Sequence, residues 1–198
     1  MALTEDQLAR LVTYTELVST WDRRHNLTGA KKPQELVEIL LADALVLSSL
    51  TMVSKDARVI DVGAGAGAPV IPLALLRQDI RGLLVEPRQK RAAFLRYAIG
   101  VLDLGARLSV SEARLDPKHP EAVMQGQVFD VAMSRATFNP PEWQSLGLKL
   151  APQCLVLGTD GLKAVPIPTE ALMQQEYEYQ WPFSEAPRHI RVLFRMNR

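Results

Sequence analysis

Hydrophobic positions along the chain change their period several times, and each change marks an element. Leu8, Leu11, Val12, Leu17 and Val18, with Tyr14 and Trp21 beside them, recur at helical spacing from Thr4 to about Asp22. They predict an amphipathic helix with Thr4 as its N-cap. Asn26-Leu27-Thr28-Gly29 breaks the pattern, and Pro33 followed by Leu36, Val37, Leu40, Leu41 and Leu45 predicts a second helix reaching about Leu50. The short apolar run Val59, Ile60 and Val62 reads as a buried parallel strand. Beyond it the periods alternate, predicting helices over 70–77, 88–101 and about 140–150, and strands over 82–86, 107–110, 129–133 and 154–157. The last two strands, 177–183 and 189–196, are expected to form an antiparallel pair. Such alternation is βαβ logic, so the predicted class is α/β. The sheet is expected to have seven mostly parallel strands with an antiparallel C-terminal strand, and N-terminal helices before it.

Between the first strand and its helix stands a glycine-rich turn, Gly63-Ala64-Gly65-Ala66-Gly67-Ala68. Strand, glycine turn and helix in immediate succession describe a nucleotide-cofactor pocket, because a Cβ would obstruct the tight turn and the close approach of backbone to ligand. The glycines alone also satisfy the dinucleotide pattern. Asp61, two residues before the first glycine, is placed to meet the ammonium of a methionine moiety. Glu86, at the end of the next strand, can accept the hydroxyls of a ribose, a need shared by S-adenosylmethionine and NAD. The C-terminal half lacks an obvious second mononucleotide-binding half, and its closing antiparallel strands favour S-adenosylmethionine as the cofactor. Structural alternatives stand beside both acids: Asp61 as a cap of the turn, and Glu86 as an acid favoured by a helix dipole.

Composition narrows the class without naming a partner. The chain has 198 residues, 47% of them hydrophobic, and a formal net charge of +1. This suits one α/β domain with a short extension, and any polyanion has to be met by local patches. The one cysteine, Cys154, excludes an internal disulfide framework, fits a reducing cytoplasm and reads as a small core residue. Neither a secretory signal nor a membrane span is expected. His25, His119 and His189 lack metal-ligand spacing, so no metal is expected, and exposed or capping positions are predicted for them.

Four ordered motifs resemble one family, the glucose-inhibited division protein B type of methyltransferase, which modifies N7 of one guanine in small-subunit ribosomal RNA. They are Thr20 to Gly29 (TWDRRHNLTG), the glycine loop with the Pro-containing helix start, Glu86 to Arg96 (EPRQKRAAFLR) and Phe129 to Ala136 (FDVAMSRA). The resemblance covers most of the chain. It implies a Rossmann-like class I methyltransferase domain over 1–198, with a helical extension over 1–52 and the core over 53–198. It further implies S-adenosylmethionine at the carboxyl ends of the strands, and puts Gly63, Ala68, Ala113, Arg114 and Arg135 at cofactor-contact positions. The candidate cofactor site is therefore Asp61, Gly63, Ala64, Gly65, Gly67, Ala68, Glu86, Pro87, Glu112, Ala113, Arg114 and Arg135. Arg135, at the end of the fourth strand, is the candidate catalytic group, orienting cofactor or substrate. The implied partner is small-subunit ribosomal RNA or a ribosomal particle, met by a cytoplasmic, membrane-free monomer.

The chain departs from the family at three places. Ile39-Leu40 stand where the family shows Arg-His, with Asp43 and Leu45 retained. Glu112-Ala113-Arg114 exchange the charges of the family's Arg-Ala-Glu, so these two side chains cannot take the family's roles, although the Ala113 backbone can still reach an adenine. Leu157-Gly158-Thr159-Asp160-Gly161 replace a Leu-Lys-Gly, which removes a lysine and makes that edge acidic. These changes leave open a small-molecule methyltransferase, which predicts a closed apolar pocket above Arg135, or a non-catalytic cofactor-binding relative.

Asn139-Pro140-Pro141-Glu142-Trp143 invites comparison with amino-methylating motifs, but it reads better as a helix start, with Asn139 as N-cap and Pro140 at the first position. Basic residues gather at Arg23-Arg24-His25, Lys31-Lys32, Arg88-Lys90-Arg91-Arg96 and Arg188-His189-Arg191-Arg195-Arg198. Solvated faces are the plain reading of each group. On one side of the molecule several of them would form a phosphate-binding surface.

Overall fold

The computed structural model describes residues 2–50 and 52–196. Seven strands form one sheet: β1 (Arg58–Val62), β2 (Arg81–Val85), β3 (Leu108–Ser111), β4 (Val131–Arg135), β5 (Gln153–Gly158), β6 (Ala171–Gln180) and β7 (Pro187–Arg195). Their order is β3-β2-β1-β4-β5-β7-β6. Neighbours from β3 to β5 are parallel, and β7 alone runs against both β5 and β6. The chain moves outward from β1 to β3 and then returns to lay β4 on the other side of β1. That reversal opens a crevice at the carboxyl ends of β1 and β4, where α/β sheets bind their ligands.

The pleat divides the core between two layers. Val59, Leu84, Val131, Met133 and Leu155 face a cluster shared with the helices α1 (Glu5–His25), α2 (Pro33–Val37), α3 (Asp43–Ser49), α4 (Val70–Leu76) and α5 (Gln89–Val101). Ile60, Val62, Leu83, Ala132 and Cys154 face the other way, against α6 (Pro140–Leu150). Strands buried on both faces read as near-continuous apolar runs, which is why β1 was visible in the sequence. Every residue of α4 is buried.

Thr4 caps α1 in a reciprocal capping box with Gln7. Its buried face is Leu11, Tyr14 and Val18, while Leu8 and Val12, placed on the apolar face by spacing alone, are about half exposed. The second predicted helix begins at Pro33 as expected but is interrupted by a π-helical turn, Glu38–Ala42, between α2 and α3. Asn139 caps α6 by accepting the Glu142 amide, with Pro140 at the first position. Cys154 is a buried core residue against the Gly147 backbone.

The C-terminal strands need correction. β6 begins earlier than predicted, at Ala171, and ends at Gln180, so Trp181 and Phe183 belong to the connection with β7. The basic run on β7 is a solvated face only in part: Arg195 is exposed, but His189 and Arg191 are not. Arg191 is buried and donates to the carbonyls of Val165 and Leu162, to Gln144 and to Glu176. His189, expected at an exposed or capping position, is buried with Nε2 at 2.6 Å from Asp160 Oδ1. The short 3-10 turn Asp160–Ala164 packs against β7 and supplies two of these partners, Asp160 and the Leu162 carbonyl. His25 and His119 are exposed, as expected, and Arg198 lies outside the described residues.

Leu73, wholly buried in α4, tests how much the packed layer contributes. Leu73→Ala is expected to lower stability by about 2–5 kcal/mol, read as a lower denaturant midpoint at unchanged slope.

Candidate active site

The glycine turn is held from three sides. The backbone N–H groups of Gly63 and Ala64 both donate to the Val85 carbonyl, at 2.8 and 3.1 Å, tying the turn to the end of β2. From below, Glu86 Oε2 accepts the Gly65 amide at 2.9 Å, while its Oε1 accepts the Arg88 amide at 2.9 Å. From α1, the fully buried Tyr14 hydroxyl donates to the Ala66 carbonyl at 2.9 Å. Gly63 and Gly67 have φ of +81° and +94°, the left-handed region that favours glycine. A Cβ on Gly63 would lie 2.0 Å from Thr137 Oγ1, and one on Gly67 would lie 2.4 Å from Ile71 Cδ1. Both positions are closed to side chains by conformation and by packing.

Asp61 sits directly under this turn. The pleat turns it to the face that carries Val59, toward α1 and α4, and it is 1% exposed. Its Oδ2 is buried and has no hydrogen-bond partner among the described residues. Burial pushes its carboxyl up to about 7; Arg135 opposes the shift and Glu86 adds to it. Burial likewise raises the Tyr14 hydroxyl, so Tyr14 stays a proton donor to Ala66. An unpaired buried carboxylate oxygen is unfavourable, and an ammonium group placed against it would restore the balance.

A cavity of about 760 Å³ opens above the turn, running from Leu27 and Thr28 across Gly63–Ala66 to Arg135, and on to Tyr179 and Trp181. Arg135 projects from the end of β4 and is held there. Its Nη1 donates to the Ile39 carbonyl at 2.6 Å and to Asp43 Oδ2 at 2.9 Å. It is thus tied to the N-terminal helices rather than standing as a free surface arginine. Ser134, pointing to the opposite face, donates to the Val62 carbonyl at 2.7 Å and locks β4 to β1.

The structure brings most, but not all, of the sequence candidates together. Gly63, Ala64, Gly65, Ala68 and Arg135 line the cavity, with Asp61 beneath them. Glu86 is 3% exposed and supports the turn through its two backbone bonds, which leaves each oxygen one further lone pair. Pro87, Glu112, Ala113 and Arg114 follow β2 and β3, and they are not among the residues lining this cavity. Glu112 pairs with Arg96 at 3.0 Å, and Arg114 is exposed.

Sequence reasoning missed Thr137, Tyr179 and Trp181 as wall residues. Spacing alone marks Tyr14 only as a neighbour of the apolar face of α1. A tyrosine at helical spacing from Leu11 and Val18 carries a signal of its own, because a buried hydroxyl needs an acceptor.

The family model for GidB, rRNA small subunit methyltransferase G, matches residues 7–161. The chain belongs to this family. A ribosomal RNA small subunit methyltransferase G from Nitrosomonas europaea is 32% identical over 93% of this chain and 86% of its own length. One from Helicobacter acinonychis is 38% identical over 65% of this chain and 67% of its own. Among solved structures, an O-methyltransferase from Bacillus cereus, in complex with SAH, has a TM-score of 0.65 at 17% identity, covering 96% of both chains. A putative RNA methyltransferase from Pyrococcus horikoshii has a TM-score of 0.62 at 12% identity, covering 98% of this chain and 100% of that one. At such identities these two likenesses speak to the fold, which is the Rossmann-like methyltransferase fold.

The raised Asp61 carboxyl has a sign that can be measured. An acid whose folded value lies above its unfolded one stabilises fully below the unfolded value, about 4, and loses that contribution as pH rises to about 7. The stability of Asp61→Asn relative to the natural protein should therefore increase from pH 4 to pH 7 and level off above it, in urea unfolding across that range.

Proposed function

We propose that the chain transfers a methyl group from S-adenosylmethionine to N7 of a guanine in small-subunit ribosomal RNA. The observation that carries this reading is the unpaired Asp61 Oδ2, buried beneath a side-chain-free glycine turn, in a member of this family. When bound, S-adenosylmethionine supplies a methyl group on a sulfonium. Asp61 would receive the ammonium of its methionine moiety. The backbone of Gly63, Ala64, Gly65, Gly67 and Ala68 would admit the nucleoside closely, and the spare lone pairs of Glu86 would accept its ribose hydroxyls. Pro87, Glu112, Ala113 and Arg114 would border the adenine at the ends of β2 and β3.

Guanine N7 carries a free lone pair, so the reaction needs no general base. The work of the protein is to hold the nucleophile in line and exclude water. Arg135, in the cavity wall, would orient the cofactor or the acceptor. Exposed Arg23, Arg24, Lys31, Lys32, Arg88 and Lys90 supply the phosphate contacts. Arg91 Nη2 donates to the Asn26 carbonyl at 3.3 Å and so brings the start of α5 against the end of α1, uniting two of these groups on one side of the cavity. We take the acting form to be a cytoplasmic monomer. Ile39, Phe138 and Trp181 give the acceptor end a partly apolar wall, which favours a small-molecule acceptor as the second reading.

Calorimetry should show S-adenosylmethionine and its demethylated product binding at one site, and tritium from the methyl group should appear in small-subunit RNA lacking the modification. A folded protein that binds neither compound at millimolar concentration would end the cofactor reading. Cofactor binding with transfer only to small molecules would move the acceptor to the second reading. Gly63→Ala should weaken cofactor binding by at least about tenfold, since Thr137 has to move to admit the methyl group. Wild-type affinity in that variant would remove the turn from the site.

A further inference from the structure

The acceptor end of the cavity is roofed by the connection between β6 and β7, and two carboxylates of the N-terminal helices hold that roof down. Asp43, 2% exposed, accepts the Tyr179 hydroxyl at 2.7 Å and the Trp181 indole N–H at 3.0 Å on Oδ1, while Oδ2 accepts Arg135. Glu38, equally buried, accepts the backbone amides of Phe183 and Ser184 on Oε1. Glu38 and Asp43 bracket the π-helical turn. In an α-helix, residues five apart point well away from each other; the wider π turn, with its i→i+5 spacing, brings them nearly above one another. Both carboxylates thereby face the same hairpin. Within the same turn the Ile39 carbonyl accepts from Arg135. Such π turns inside helices recur at functional sites.

We propose that Asp43 is a positioning residue for methyl transfer, fixing Arg135 at the end of β4 and, through Tyr179 and Trp181, latching the β6–β7 connection over the acceptor end of the cavity. The inference rests on the acceptor reading above only for its kinetic consequence; the latch itself is a matter of this chain's own groups. Arg188 extends the roof. Its guanidinium lies 3.6 Å over the Trp181 ring and lines the cavity, so moving Trp181 also moves a cation at the acceptor end. The aromatic pair and Arg135 converge on one carboxylate, so loosening either arm should be felt by the other.

Two full-length variants separate the arms. Asp43→Asn removes the charge that faces Arg135, and the double variant Tyr179→Phe with Trp181→Phe or its single components removes the hairpin donors while leaving the Asp43–Arg135 pair in place. Hydrogen exchange over 179–186 should accelerate about tenfold in the double variant, with exchange over the glycine turn unchanged. In methylation assays Asp43→Asn should lower kcat by about tenfold or more, and the double variant should raise the acceptor KM by about tenfold while the cofactor Kd stays within about twofold. Unchanged exchange over 179–186 would overturn the latch. Accelerated exchange with wild-type kcat and KM, or a folded Asp43→Asn protein with wild-type kinetics, would overturn the positioning role. Should the natural protein bind S-adenosylmethionine and methylate no ribosomal RNA, the acceptor reading would fall by itself. The exchange measurement would still decide the latch, and kinetics with the acceptor then found would decide the rest.

Discussion

A buried carboxylate has to be matched by a donor or a cation, and besides Glu38, which holds the β6–β7 connection, one end of this sheet is organised around three of them. Glu86 takes two backbone amides, one from the glycine turn and one from the start of α5. Asp43 takes an arginine, a phenol and an indole. Asp61 keeps one buried oxygen unmatched among the described residues, and burial, with Glu86 adding to it, raises the affinity of its carboxyl for a proton against the pull of Arg135. The three lie on different elements, so satisfying them joins the turn, the N-terminal helices and the C-terminal hairpin around one cavity.

The N-terminal helices are consequently part of the site and of the core. Tyr14 buttresses the glycine turn, and Asp22 accepts both the amide and the hydroxyl of Thr28, fixing the segment in which Leu27 and Thr28 line the cavity. Trp21 packs its ring near His25, Phe94 and Tyr97, where the end of α1 meets α5. A chain with a net charge of only +1 can still offer a polyanion a basic margin, because Arg23, Arg24, Lys31 and Lys32 are exposed near that junction. The replacement of the family's Arg-His by Ile39-Leu40 has a local meaning as well. Arg135 uses the Ile39 backbone carbonyl, which any residue at that position would provide.

Much of the fold was legible in the sequence, because period is a local property. β1, α5 and α6 were read to within a residue or two, since a buried run or a capped helix start announces itself within a few positions. The hairpin was read less well. Trp181 and Phe183 look like strand residues, yet the strand stops at Gln180, where the chain turns back toward β7: the Trp181 amide donates to the Ala186 carbonyl at 3.1 Å, and the Phe183 and Ser184 amides go to Glu38. His189 and Arg191 look like solvated cations. They are buried because a 3-10 turn distant in the sequence covers them and offers carbonyls and Asp160.

By itself the sequence determined the alternation of elements, the side-chain-free turn after β1 and the placing of Asp61 and Glu86 at strand ends. Each of these follows from steric and periodic rules acting over a few residues. Tertiary structure alone decided which side chains meet across the cavity: Tyr14 with the turn, and Asp43 with Arg135, Tyr179 and Trp181. Those pairings join residues far apart in the chain. They depend on sheet order and on a π-helical turn in the second helical segment, and no local pattern encodes either.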